Sequence, residues 1–166
     1  HELMTIKVLE ILLVANPYDA YILEEDGSLA SKIINEYHGL NLSRPPRLTH
    51  AAGGAKALSL LEDQPFDLVM VMPNLKDMTP KTLGAAVKAI HPQTPVVELT
   101  HREYHEASAI DTTESGGIDQ SYIWSGDSDL LLALVKNTED RLNVEADTRK
   151  AGVRVLILVE DSPLYR

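Results

Sequence analysis

The sequence predicts an α/β fold, a doubly wound five-stranded parallel sheet with helices on both faces. Three observations lead there. Five short aliphatic or β-branched runs recur along the chain, and the stretches between them carry apolar residues at helical spacing. Strands separated by helical crossovers pair in parallel and connect right-handedly. No Gly-x-Gly-x-x-Gly follows the first run and no Gly-Lys-Ser/Thr loop occurs anywhere, so the common nucleotide-binding versions of such a sheet lose support.

The elements follow in order. Ile11-Leu12-Leu13-Val14 has no polar interruption, as expected of a strand buried on both faces. After Pro17 a helix is expected on Tyr21, Ile22, Leu29, Ile33, Ile34 and Tyr37, disturbed near Gly27, with Ser28 capping its second part. Residues 39–46 form a loop that Arg44-Pro45-Pro46 keeps extended. A strand over Arg47 to His50 and a helix over Gly54 to Glu62 come next, then a strand over Asp67 to Met72. Thr79-Pro80 opens a helix as N-cap and first position, carrying Leu83, Ala86, Val87 and Ile90. Pro95 to Thr100 is the fourth strand, Tyr104 to Ser115 a polar helix ending at Gly116-Gly117, and Tyr122 to Trp124 the fifth strand. The last helix starts at Asp127, with Leu131, Leu134, Val135 and Leu142 on its apolar side.

Composition limits the partners. The 166 residues suffice for one ordinary domain plus an appendage, and cysteine is absent, which excludes disulfides and thiolate metal sites. With 25 acidic against 15 basic residues the net charge is −10, and no Lys/Arg stripe offsets it, so direct nucleic-acid binding is not expected. No apolar run approaches the ~18 residues of a membrane span. The first residues, His1-Glu2-Leu3-Met4, show no signal peptide and read as additions ahead of a start at Met4. A cytoplasmic location is expected.

In order and spacing the chain resembles the receiver domain of two-component response regulators, the CheY-like family with a flavodoxin-like fold, over residues 7–143. The segments that carry the resemblance are Asp67-Leu-Val-Met-Val-Met72, Pro95-Val-Val-Glu-Leu-Thr100 and Ser121-Tyr-Ile-Trp124. The resemblance implies a phosphorylatable Asp ending the third strand, an acidic Mg²⁺-binding pair after the first, a Thr or Ser ending the fourth and a Lys after the fifth. Here the acidic pair falls on Ala15 and Asn16, the acceptor on Met72 and the Lys on Ser125; Thr100 and the coupled aromatic Tyr122 are retained. A thioether forms no acyl phosphate, and an Ala/Asn pair offers Mg²⁺ no anionic oxygens. Without the Lys no cation balances a phosphoryl group. Asp67 and Asp77 lie too far along the chain to substitute and read as a strand-start turn and an exposed loop.

Val155-Leu-Ile-Leu-Val-Glu160-Asp161-Ser-Pro repeats the Ile11-Leu-Leu-Val-Ala15-Asn16-Pro pattern with its acidic pair, Glu160 and Asp161, intact. The expected organisation is a degenerate receiver-like domain at 4–143, a helical linker at 144–152, and the truncated start of a second receiver at 153–166. The strand from Val153 to Val159 is expected to add to a sheet edge, with exchange between two chains favoured.

Other residues invite weaker readings. His101, His105 and Glu106 could share a helix face but make only half a metal site, so solvated histidines are the expectation. Asn16, Asn74, Thr100 and Ser125 converge on the crevice where open α/β sheets bind ligands. Leu131, Val135, Thr138, Leu142 and Glu145 form a loose seam that fits either a helix pairing with a second copy or a solvated link. The expected function is a non-phosphorylatable module of a two-component signalling protein, without catalytic activity, cofactor or metal. It would act on a protein partner, a second copy of itself, or an adjacent receiver or output domain. The alternative is a sensor that binds a small polar ligand in the vacated pocket.

Overall fold

The computed structural model describes residues 3–25, 31, 34–35, 37, 44–100, 116–124 and 128–154. The elements are β1 (Glu10–Val14), α1 (Pro17–Glu25), β2 (Arg47–Ala51), α2 (Gly54–Asp63), β3 (Leu68–Val71), α3 (Pro80–Ile90), β4 (Val96–Thr100), β5 (Gln120–Ile123) and α4 (Ser128–Ala151). All strand pairs are parallel and the sheet order is β2-β1-β3-β4-β5. The expected sheet is therefore the observed one.

The unbroken apolar strands explain why both faces are covered. Side chains alternate across a strand, so Ile11 and Leu13 join Met70, Met72, Val97 and Leu99 under Ala20 of α1 and Leu131, Leu134 and Val135 of α4. Leu12 and Val14 point the other way, with Val69, Val71 and Val96, under Ala57 and Leu61 of α2 and Leu83 and Val87 of α3. On that second face α3 meets the 116–117 turn backbone to backbone. A Cβ on Gly117, which holds φ +80, would lie 2.5 Å from the Gly84 carbonyl oxygen.

Several boundaries differ from expectation. β5 runs over Gln120–Ile123 rather than starting at Tyr122, because Asp119 already joins β4: its carboxylate accepts the Val96 N–H at 2.7 Å and its own N–H donates to the Val96 carbonyl. Tyr21 and Ile34, expected on an apolar helix face, are exposed, whereas Ala20 and Tyr37 are buried. As expected of the helical stretch at 144–152, α4 continues without a break past Asn143 to Ala151; it ends at Gly152, whose φ of 65° is the left-handed conformation that terminates helices. Of the second receiver expected at 153–166, everything from residue 155 onward lies outside the described residues, as do the polar helix over 104–115, Ser28 and Asp127. No helix among the described residues is long and apolar enough to cross a membrane.

Candidate functional site

The carboxyl ends of β1, β3 and β4 meet at the crevice the sequence singled out, and local chemistry sets each side chain there. Asn16-Pro17 starts α1: proline takes the first helical turn without loss, and Asn16 caps it. Asn16 Oδ1 accepts the N–H groups of Tyr18 and Asp19, each at 2.9 Å. Its other end faces the crevice. Asn16 Nδ2 donates to Asp19 Oδ2 at 2.8 Å and to the Asn74 carbonyl oxygen at 2.8 Å. Asn16 and Asp19 are both buried. One amide nitrogen thus fills the space between a carboxylate and a carbonyl oxygen.

The neighbouring positions are apolar. Ala15 is fully buried, its N–H donating to the Ala51 carbonyl and its own carbonyl lying 2.8 Å from His50 Nε2. Met72 is 1% exposed and belongs to the core beneath α1 and α4. Its side chain is structural packing at the position where the resemblance puts a nucleophile. Thr100 is buried at the end of β4. Tyr122 packs against the same core, and its hydroxyl accepts a hydrogen bond from Asn137 Nδ2 of α4, a partner that sequence reasoning missed.

The two acids set aside as bystanders hold backbone. Asp67 Oδ2 accepts the Leu9 and Glu10 N–H groups at 2.9 Å each, securing the start of β1. Asp77 reaches back to the start of α2 and accepts the N–H groups of Gly54 at 3.1 Å and Ala55 at 2.8 Å. Those bonds, Ala55 first, hold its carboxyl below the usual carboxylate range. Gly53, the N-cap of α2, has no side chain to do this.

Asp19 was also missed, although the signal was present. Asn-Pro-x-Asp places an acid three residues after an N-cap, the spacing of a capping box. Ser125, His101, His105, Glu106, Glu160 and Asp161 lie outside the described residues. Among the described residues no group of three or more His, Asp or Glu could hold a metal ion. A cavity of about 220 Å³ sits at the opposite end of the sheet, lined by Lys88, Gln93, Asp119, Gln120, Thr138 and Arg141. Lys88 and Asp119 are already paired there at 2.7 Å.

Comparison with known proteins adds the following. No family model matches the chain, and no curated protein sequence matches it. Solved structures do. A signal receiver domain of an HD domain-containing protein from Pseudomonas fluorescens superposes with a TM-score of 0.64 at 25% identity, covering 86% of this chain and 94% of that one. A CheY-like response regulator receiver domain from Methanospirillum hungatei gives 0.60 at 19% identity, over 84% and 99%. The receiver domain of a sensor histidine kinase from Pseudomonas aeruginosa, which has magnesium coordinated in its active-site cleft, gives 0.56 at 18% identity, over 80% and 98%. With five parallel strands in the order 2-1-3-4-5 and helices on both faces, the chain has the flavodoxin-like fold of response-regulator receiver domains.

Proposed function

We propose that this receiver-fold domain takes no phosphate and works in two-component signalling by contact with protein partners, with no catalysis of its own. The observation that carries the reading is the Asn16 amide. Its Nδ2 donates to Asp19 and to the Asn74 carbonyl, the oxygens a divalent cation would need, and Met72 fills the acceptor position with buried thioether. Magnesium of the kind seen in the Pseudomonas aeruginosa receiver therefore does not fit the residues present, because a nitrogen donor already occupies the place of a cation. The same internal bonds count against the small-ligand alternative, since the amide that would greet a ligand is used within the chain.

Candidate partners are a second copy of this chain or a neighbouring receiver or output domain. Part of the expected pairing seam is used internally: Leu131, Val135 and Thr138 are buried and Glu145 is exposed and paired with Arg149 at 2.6 Å.

The test is treatment with acetyl phosphate, or with beryllofluoride, in Mg²⁺. Unchanged intact mass, unchanged amide spectra and an unchanged melting temperature are expected. A hydroxylamine-sensitive phosphate on the chain would overturn the proposal.

A further inference from the structure

Residues 4–8 run along the second half of α4, which holds them by their backbone. Asp147 accepts the Met4 N–H with both carboxylate oxygens, at 2.9 and 3.2 Å. Asn143 Oδ1 accepts the Ile6 N–H at 2.8 Å, and Asn143 Nδ2 donates to the Ile6 carbonyl at 2.8 Å. Glu139 Oε1 accepts the Val8 N–H at 3.1 Å. Helix residues spaced by four thus meet strap residues spaced by two, in antiparallel order. Four helical residues rise about 6.0 Å and two extended residues about 6.6 Å, so the repeats stay in step from Val8 to Ile6, and a bend at Met4, with φ 57°, completes the third contact. The Ile6 side chain is 46% exposed, so what the helix reads is main chain.

The strap matters to α4 in turn. The first half of the helix is anchored in the core by Leu131, Leu134 and Val135, whereas Val144, Glu145, Ala146, Arg149, Lys150 and Ala151 are exposed. A helical stretch from residue 139 to 151 is too short to be stable alone in water. Asn143 is 1% exposed and satisfied largely by the strap. Glu139, equally buried, is held by the Val8 N–H together with Lys136 at 2.8 Å and Lys7 at 3.6 Å.

We infer that residues 139, 143 and 147 form a docking rail for an extended backbone, occupied by this chain's own residues 4–8, and that strap and rail form one cooperative element. With the strap docked, α4 is helical through Ala151; with it displaced, the helix frays back to the core-anchored half. A change on the amino-terminal side of the domain is then passed to whatever follows α4. The inference stands whether or not the crevice accepts phosphate.

Hydrogen exchange on the full chain tests it with two variants. Ile6→Pro removes the strap N–H without altering the helix, and its fixed φ suits an extended chain. Asn143→Leu removes the strap bonds from the other side with a side chain of similar size, together with the Asn143 Nδ2 bond to the Glu139 carbonyl within the helix, so Ile6→Pro is the deciding variant. Both are expected to speed exchange of the 144–151 amides together by about five- to tenfold, the loss expected for one or two hydrogen bonds, while β1 and β3 stay protected. Unchanged exchange over 144–151 in Ile6→Pro would overturn the inference. A uniform rise that includes β1 and β3 would also overturn it, since strap and helix end would then have no separate equilibrium.

Discussion

Asn16→Asp isolates the one contact on which the reading of the crevice depends. Aspartate caps a helix as well as asparagine does, so the bonds from Tyr18 and Asp19 N–H survive. What is lost are the two Nδ2 donations, at 2.8 Å each, to Asp19 and to the Asn74 carbonyl. A hydrogen bond to a carboxylate contributes about 1.5–3 kcal/mol and one to a carbonyl about 1 kcal/mol, so the loss is at least ~2.5 kcal/mol. Repulsion between two carboxylates adds to it, on the order of 4 kcal/mol at 4 Å before proton uptake relieves it. At ~3 °C per kcal/mol for a chain of this size, melting should fall by about 10 °C or more at pH 7 in EDTA. Lowering the pH toward about 5 should return part of the loss, because a crowded carboxylate pair retains a proton.

Calcium or magnesium should return stability to this variant as well, since two carboxylates and the Asn74 carbonyl would then converge on one point. The wild type should not respond. Asn16→Ser keeps a capping oxygen and adds no charge, so it measures the hydrogen-bond share alone. The assay is thermal and urea unfolding with and without divalent cation. If Asn16→Asp melts with the wild type in EDTA, the amide bridge does not hold the crevice and the reasoning fails.

Three further outcomes are expected. Met72→Asp places a carboxyl at a fully buried position without cation or Lys; a pKa raised by about 3 units would cost ~4 kcal/mol at pH 7, a loss that urea titration should see shrink as pH falls below the raised value, and wild-type stability at pH 7 would contradict it. The buried Tyr37 hydroxyl makes no well-formed hydrogen bond among the described residues and has the Lys136 ammonium beside it, which also lies 4.9 Å from the ring centroid, so Tyr37→Phe should leave stability within about 1 kcal/mol of the wild type; a larger drop in melting temperature would show that the hydroxyl is firmly bonded. Asp77 is held below the ordinary carboxylate range by the Ala55 and Gly54 amides, so its contribution is fully present above about pH 4 and lost as pH falls through its lowered value; the stability gap between wild type and Asp77→Asn should be constant from pH 7 to pH 5 and close only at lower pH, and a gap already closed at pH 5 would refute the assignment.

How much was legible in the sequence follows from the range of each interaction. Strand runs such as Ile11 to Val14 and Leu68 to Val71 show their two-sided burial in composition alone, because a parallel strand between helix layers tolerates no polar face. The Thr79-Pro80 start of α3 was readable for a similar reason: cap and first turn lie within four residues, and the Thr82 N–H does donate to Thr79 Oγ1 at 3.1 Å. The sequence by itself thus determined the sheet and the described helices that pack on it. It did not determine what acids and amides do at long range. Asp77 caps a helix 22 residues upstream, and Glu139, Asn143 and Asp147, in a stretch the sequence left between a pairing helix and a solvated link, clamp an amino-terminal strap more than 130 residues away. A polar side chain reveals only that it needs a partner, and which backbone group supplies it is decided when folding brings distant segments within three ångströms.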